Sequence, residues 1–412
     1  MIHPDIDIVI LSILSYSNFI KMRLVNHYFN NIICKSNSIL RRVHIIRKGF
    51  FQHVNELVHI ENIHFVLKNK PRGYTINSDN TIGQEFWLQM QNNIIGLELR
   101  NTSIVTNKIM RTLTHITNLY LYMNKEISDI SFLSNLRTLA LSSDYVITNK
   151  ELKKLTSITN LKLNYNTNIN DDIFQYLTNI TRLNLHSNSI ISGNILTKLH
   201  NIVSLNLQAN NLITNNHITH MLSIKKLILS NNHNISGHTL RLFTNITNLK
   251  LMYNTIITDH DIKYLTSITK LDLSFNGKIS YEGISHLTRI RSIFLYNNTK
   301  INNLEKLINL NKLRMYTNID IAHLTNITSL ELYGRINAVR YDEISNLTNI
   351  KYLITNNFMT NADISFLTNL TELDITNSTF ISNSGFSHIS GLRYLHTKHS
   401  IHIVNPKVHI IK

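Results

Sequence analysis

The sequence predicts an α/β solenoid in which short parallel strands line one face and short helices return along the other. Three observations carry this. A Leu-x-Leu pair recurs along most of the 412-residue chain, an Asn stands at a fixed offset behind it, and a helix-capping residue opens the second half of each unit. One unit of this kind cannot bury its apolar face alone, so neighbouring copies must stack.

The pairs are Leu97/Leu99, Leu119/Leu121, Leu139/Leu141, Leu161/Leu163, Leu183/Leu185, Leu205/Leu207, Leu227/Leu229, Leu249/Leu251 and Leu271/Leu273; from Leu139 to Leu271 the step is always 22 residues. Weaker copies follow at Ile293/Leu295, Leu313/Met315, Leu330/Leu332, Leu353, Leu373/Ile375 and Leu395, for about fifteen units in all. Leu249 and Leu251 alternate with Lys250 and Met252, the period of two of a strand with one buried face.

Asn254, five residues after Leu249, marks the turn away from the strand. Asn124, Asn166, Asn188, Asn210, Asn232, Asn276, Asn298 and Asn318 take the same place, and Asp144 replaces one of them. An amide side chain has both donors and an acceptor, so a stacked column can satisfy the backbone groups freed at each turn. Positions 102, 335, 358, 378 and 400 lack Asn, so the ends are expected to be less regular than the middle.

Thr258 opens the return half as an N-cap, with Thr148, Asn170, Thr214, Ser236, Ser280, Thr360 and Ser382 equivalent to it. Apolar pairs at helical spacing follow, such as Leu152/Leu155, Ile173/Leu177, Ile262/Leu265 and Ile284/Leu287. About one to two turns of helix per unit are expected.

This pattern, LxLxxN with a following LTNIT segment, resembles the leucine-rich-repeat family over residues 93–400. The resemblance implies a leucine-rich-repeat solenoid with its parallel sheet on the concave side and short helices on the convex side. Residues 401–412 read as a tail.

Residues 1–45 break the period and read as helices, with Ile10, Leu11, Ile13 and Leu14 on one apolar face and Phe19, Met22, Val25 and Phe29 on another. The string ILSILSYSNFIKMRLVNHYFNNII from Ile10 to Ile33 resembles the F-box. Pro4, Ile10, Leu14, Phe19, Leu24, Val25 and Phe29 carry the resemblance. His3 and Ile6 depart from the family's Leu before and acidic residue after the Pro-Asp, and Phe29 stands where Trp is usual. The resemblance implies that these seven residues bind a Skp1-type adaptor of a cullin ubiquitin ligase while the repeats select a target protein. An F-box followed by leucine-rich repeats, in an Asn- and Ile-rich chain, is most similar to proteins of large DNA viruses of the mimivirus kind. The residues themselves leave a second reading open: a helical cap that seals the end of the solenoid, with no ligase link. Residues 46–92 read as a linker or irregular first repeat, with a strand at Ile63, Phe65 and Leu67 and a loop from Pro71 to Gln91 anchored by Phe86 and Trp87.

Charged residues make up only 16% of the chain, and the net charge is +16. That balance is compatible with an acidic partner, but no block of five or six basic residues concentrates it, which argues against nucleic acid. The apolar run from Ile6 to Leu14 is broken by Asp7 and has no basic start, so it does not read as a secretory signal. No run of 18 apolar residues could span a bilayer. A cytoplasmic or nuclear protein is therefore expected (in a host cell, if viral), neither secreted nor membrane-bound. The Asn-Ile-Thr triplets at Asn179, Asn245 and Asn326 then read as repeat consensus rather than glycosylation acceptors.

No GxxxxGK, GxSxG or HExxH pattern occurs. Cys34, beside Ile32 and Ile33, reads as a buried thiol, and the trio His396, His399 and His402 is too loose a pattern for a metal site. No catalytic residue, cofactor or metal is expected, and the chain reads as a binding protein rather than an enzyme. The informative surface is the concave one. Tyr120 and Tyr122 form one aromatic pair there; Phe294, Tyr296, Tyr316 and Tyr333 form a cluster on successive units. Lys162, Arg182, Lys226, Lys250, Lys270 and Arg314 add positive charge. Tyr120, Tyr122, Lys162, Lys250, Phe294, Tyr296, Arg314 and Tyr316 are the target-binding candidates.

Overall fold

The computed structural model describes residues 7–8, 41–45, 63–68, 87–88, 91–92, 94–101, 105–316, 319–333, 341–355, 359–376, 378, 380–386, 389–398 and 408–411. The chain forms two compact units, residues 1–202 and 203–412. Each is a stack of leucine-rich repeats whose strands pair in parallel, in chain order.

In the first unit the strands are Asp7–Ile8, Arg41–Ile45, Ile63–Lys68, Ile94–Arg100, Asn118–Tyr122, Thr138–Ser142, Asn160–Lys162 and Arg182–Asn184. Leu97, Leu119, Leu139, Leu161 and Leu183 stand opposite one another across successive strands. In the second unit the strands are Ser204–Asn206, Lys226–Ile228, Asn248–Lys250, Lys270–Asp272, Ser292–Leu295, Lys312–Met315, Ser329–Leu332, Tyr352–Ile354, Glu372–Asp374, Tyr394–His396 and His409–Ile411. Leu205, Leu227, Leu249, Leu271, Ile293, Leu313, Leu330, Leu353, Leu373 and Leu395 keep the same register there. All of these aliphatic side chains are buried, so one side of each strand that carries them is core.

The N-terminal strands correct one expectation. Asp7–Ile8 and Arg41–Ile45 are parallel strands, not helix, and Val43 stands opposite Phe65 just as Phe65 stands opposite Leu97. The segment Arg42-Val43-His44-Ile45 alternates polar and β-branched residues, which suits a strand. From Val43 to Phe65 the step is again 22 residues, so the sheet begins well before residue 93. Ile63–Lys68 is the strand expected there. At the other end His409–Ile411 pairs with Tyr394–His396, so the tail ends in a strand. The F-box-like positions Pro4, Ile10, Leu14, Phe19, Leu24, Val25 and Phe29 lie outside the described residues, as do Cys34, Phe86, Asn318, His399 and His402.

From Asn166 to Asn298 the Asn column is as the pattern predicts, whereas Asn124 accepts from the Glu126 and Ile127 N–H groups but its Nδ2 has no partner among the described residues. Asn254 is fully buried; its Oδ1 accepts from the backbone N–H groups of Ile256 (3.1 Å) and Ile257 (2.9 Å). Its Nδ2 donates to the carbonyls of Leu229 (3.1 Å) and Asn232 (2.8 Å) in the preceding repeat. Asn166, Asn188, Asn232, Asn276 and Asn298 make the equivalent pair of donations. The residue just before each ladder position is left-handed, with φ between 46° and 57° at Asn101, Met123, Ser143, Tyr165, Ser187, Ala209, Asn231, Tyr253, Phe275 and Asn297. None of these is glycine, so each carries a local backbone cost that the ladder offsets.

The return segments are single turns of three to six residues where a helix forms, α-helical at Asp259–Ile262 and Tyr281–Ile284 and 3-10 at Asp171–Gln175, Asn194–Lys198 and Asn215–His217. Thr148, Asn170 and Ser280 accept from the N–H two residues on. At Thr258 and Thr360 the roles reverse: the cap's hydroxyl and backbone N–H both donate to the carboxylate of Asp261 or Asp363. Ser236 makes no side-chain cap bond; its N–H donates to Asn215 Oδ1 at 2.9 Å.

Candidate protein-binding face

Alternation along each strand leaves three outward positions: one before the first core Leu, one between the pair, and one after it. In the second unit these are Ser292, Phe294 and Tyr296; Lys312, Arg314 and Tyr316; Ser329, Glu331 and Tyr333; with Tyr352 and Ile354 following. The backbone fixes what these side chains meet, because register brings Phe294 opposite Arg314 and Arg314 opposite Glu331.

Five rings form a row across successive repeats. Tyr253 stacks on Phe275 with centroids 4.5 Å apart and planes 18° apart. Phe275 meets Tyr296 at 5.1 Å, and Tyr296 meets Tyr316 at 5.2 Å and Tyr333 at 5.5 Å. Tyr253 is 46% exposed and the other four are half-buried. Tyr253 and Phe275 are left-handed turn residues, and it is their turn conformation that brings them into line with strand residues of the next repeats.

A charged cluster underlies one end of the row. Glu331 is buried, and its carboxylate accepts from Arg314 at 2.5 Å, from Lys312 Nζ at 3.1 Å and from the Tyr333 hydroxyl at 3.1 Å. Arg314 also lies over Phe294 at 4.9 Å and over Tyr333 at 5.9 Å, and Lys312 lies over Phe294 at 5.8 Å. Arg314 is thereby held flat against the aromatic row. Burial, followed by the neighbouring Glu331, Glu372 and Asp374 carboxylates, pushes the Tyr352 phenol up to about 12. Burial and Glu331 raise Tyr333 as well. Beyond Tyr352, Glu372 Oε1 meets His396 Nε2 at 3.0 Å, and Asp374 accepts from the Thr376 N–H at 2.9 Å.

Six of the eight candidates from the sequence lie at outward positions within strands, Tyr296 and Tyr316 lie one residue past the strands Ser292–Leu295 and Lys312–Met315, and all eight are half-buried. Phe294, Tyr296, Arg314 and Tyr316 come together in the second unit. Lys250 stands on the same face two strands away. Tyr120, Tyr122 and Lys162 belong to the first unit, where the two rings stack at 6.4 Å, Lys162 lies 5.2 Å from Tyr120 and Arg100 lies 4.6 Å from Tyr122. Sequence reasoning missed Phe275 and Tyr253; the available signal was their place directly before the ladder Asn. It also missed Glu331, the buried anion that organises Lys312 and Arg314.

Among the described residues no group of three His, Cys, Asp or Glu side chains could hold a metal ion. Nor is any helix among them long and apolar enough to cross a membrane.

No protein-family model matches the sequence, and no curated protein matches it. Solved structures do resemble it. An internalin (inlF) from Listeria monocytogenes is 25% identical with a TM-score of 0.51, over 73% of this chain and 92% of that one. TLR13, in its complex with ssRNA13, is 19% identical with a TM-score of 0.52, over 85% of this chain and 60% of that one. An LRR protein of Leptospira interrogans is 20% identical with a TM-score of 0.48, over 89% of this chain and all of that one. With the repeat register and the Asn column, the likenesses to the internalin and to TLR13 establish the architecture: the chain has the leucine-rich-repeat fold.

Proposed function

We propose that the chain is a non-catalytic scaffold that captures a protein on the outer strand face of residues 248–354. The observation that carries this is the row of five rings on successive repeats, each just past the end of a paired strand, flanked by Arg314. Tyr and Arg side chains already fixed in place lose little freedom on binding, which is why they recur at binding hot spots. Only Tyr253 and Phe275 stack, and the other rings meet at 53° to 74°, so the row is not a set of parallel faces. Such a row suits apolar protein side chains better than stacked nucleobases.

The finer reading is a substrate receptor: the N-terminal segment recruits a Skp1-type adaptor of a cullin ubiquitin ligase, and the strand face holds the target. Its support is the F-box resemblance at Pro4, Ile10, Leu14, Phe19, Leu24, Val25 and Phe29. The test uses the full chain in two variants. Phe294→Ala with Tyr296→Ala and Tyr316→Ala is expected to abolish capture of the target with the melting temperature nearly unchanged. Leu14→Asp with Val25→Asp is expected to abolish adaptor binding and leave target capture intact. If the wild-type chain binds no Skp1-type adaptor, the ligase reading falls and the scaffold reading stands. A triple variant that keeps its target refutes the scaffold face.

A further inference from the structure

The outer face of the second unit is not uniform in charge. Its early strands carry Lys226, Lys250 and Lys270, with Asp272 as the one acid. The aromatic row runs past the ends of the strands from Asn248–Lys250 to Ser329–Leu332, so its first two rings share repeats with Lys250 and Lys270 while Tyr296, Tyr316 and Tyr333 occupy the middle, where the Glu331 cluster ties up Lys312 and Arg314. The strand Glu372–Asp374 then places two carboxylates on the same face, at its first and third positions. Lys351 and Arg393 are exposed and stand one residue before their strands, outside the first and third strand positions that Glu372 and Asp374 occupy. The raised Tyr352 phenol reports the same negative end from a side chain lying between the middle and the late strands. A chain of net charge +16 thus presents a face that runs from basic through aromatic to acidic.

We propose that this face takes an extended protein segment of opposite polarity, acidic at one end, apolar in the middle and basic at the other, lying across the strands. This rests on the scaffold reading and adds the partner's chemistry to it. Charge complementarity selects the occupant: Lys250 and Lys270 meet the acidic end, the rings meet the apolar centre, and Glu372 and Asp374 meet the basic end. Six strand steps separate Asn248–Lys250 from Glu372–Asp374, which is about 29 Å at ~4.8 Å per step. An extended segment of about nine residues spans that distance. A uniformly acidic ligand such as single-stranded RNA fits only the basic end and is repelled at the other.

The experiment measures binding of three probes to the full chain by calorimetry at moderate salt. The first is a peptide of about eleven residues with Glu at one end, Leu and Val in the centre and Arg at the other, long enough for the spacing above. The second has the same composition with the charges intermixed, and the third is an oligouridylate. The segregated peptide is expected to bind about tenfold more tightly than the intermixed one, the scale of a few rim charge pairs. Lys250→Glu with Lys270→Glu removes that advantage, and so does Glu372→Lys with Asp374→Lys. Combining all four substitutions restores it, because the peptide can then bind end for end. Equal binding of both peptides, tighter binding of the oligouridylate, no binding of the segregated peptide, or no recovery in the fourfold variant overturns the proposal. The scaffold reading has its own readout: if the charge variants change nothing while the Phe294, Tyr296 and Tyr316 triple variant loses its target, the face binds protein but has no polarity.

Discussion

Replacing Asp144 with Asn is expected to stabilise the protein, by an amount that grows with pH. Asp144 sits in the Asn column and is fully buried. Its Oδ1 does what the Asn residues do, accepting from the N–H groups of Val146 (2.9 Å) and Ile147 (3.1 Å). Its Oδ2 has no partner. One repeat later Asn166 uses the equivalent atom, Nδ2, to donate to the carbonyls of Leu141 (2.9 Å) and Asp144 (3.2 Å). By that repeat geometry Oδ2 of Asp144 faces the carbonyls of Leu121 and Asn124, where two acceptors need a donor. Asn supplies two hydrogen bonds worth about 1 kcal/mol each, so about 2 kcal/mol in all. Burial raises the Asp144 carboxyl, so the folded state keeps its proton where the unfolded chain has released it. The contribution of Asp144 to stability is therefore greatest below the unfolded value near ~3.9 and falls as pH rises through the folded one, at up to about 1.4 kcal/mol per pH unit. Asn does not titrate, so the gain widens along that same slope. Urea denaturation of both proteins at about pH 4 and about pH 8, either side of that range, reads it directly. A variant that is less stable at neutral pH, or whose gain is the same at both pH values, would refute the reasoning.

Three further outcomes follow from the packing. Asn254→Ala removes four hydrogen bonds, three of them buried, and should cost roughly 2–4 kcal/mol, whereas Asn245→Ala removes one exposed bond of 3.4 Å and should cost no more than about 0.5 kcal/mol by the same denaturation assay. Gly237→Ala puts a methyl 1.9 Å from Asp261 Cγ, displacing the carboxylate that holds Arg241 at 2.6 Å and caps Thr258, at a cost of roughly 1–3 kcal/mol in the same assay. In an ultraviolet titration Tyr352 should be among the last phenols to ionise, near its value of about 12, and Tyr352→Phe should remove that step.

Much of this was legible in the sequence because the repeat is redundant. Fifteen imperfect copies of one buried Leu pair fix a strand register that a single copy could not. Position 144 was visible as an exception in the Asn column, though not which of its oxygens lacked a donor. The recurring Asn and Thr of the LTNIT segment tie neighbouring repeats together. Asn179, Asn309, Asn326, Asn349 and Asn369 donate through Nδ2 to a carbonyl of the preceding repeat, at 2.9 to 3.1 Å. Thr159, Thr181, Thr247 and Thr269 hydroxyls do the same at 3.1 to 3.4 Å. A third column links the first return residue to the next repeat's cap, as Asp259 accepts from Ser280 and Asp171 from Ser192. The LTNIT consensus is thus partly a set of inter-repeat bonds, formed between residues about one repeat apart and so invisible to any local pattern. The strand at Arg41–Ile45 was hidden for another reason: Val43 and Phe65 keep the 22-residue step but stand where Leu is usual, and the 32 residues from Phe65 to Leu97 break the period.

The central claim, that protein capture occurs on the strand face of the second unit, is tested most directly by hydroxyl-radical footprinting of the full chain with and without its captured target. Tyr253, Tyr296 and Tyr316 on that face serve as reporters, with Tyr264, 46% exposed beside the return helix Asp259–Ile262, as the control. Binding should slow oxidation of the three strand-face tyrosines and leave Tyr264 unchanged. Protection of Tyr264 with no change at Tyr253, Tyr296 and Tyr316 would place the partner on the return side and contradict the account.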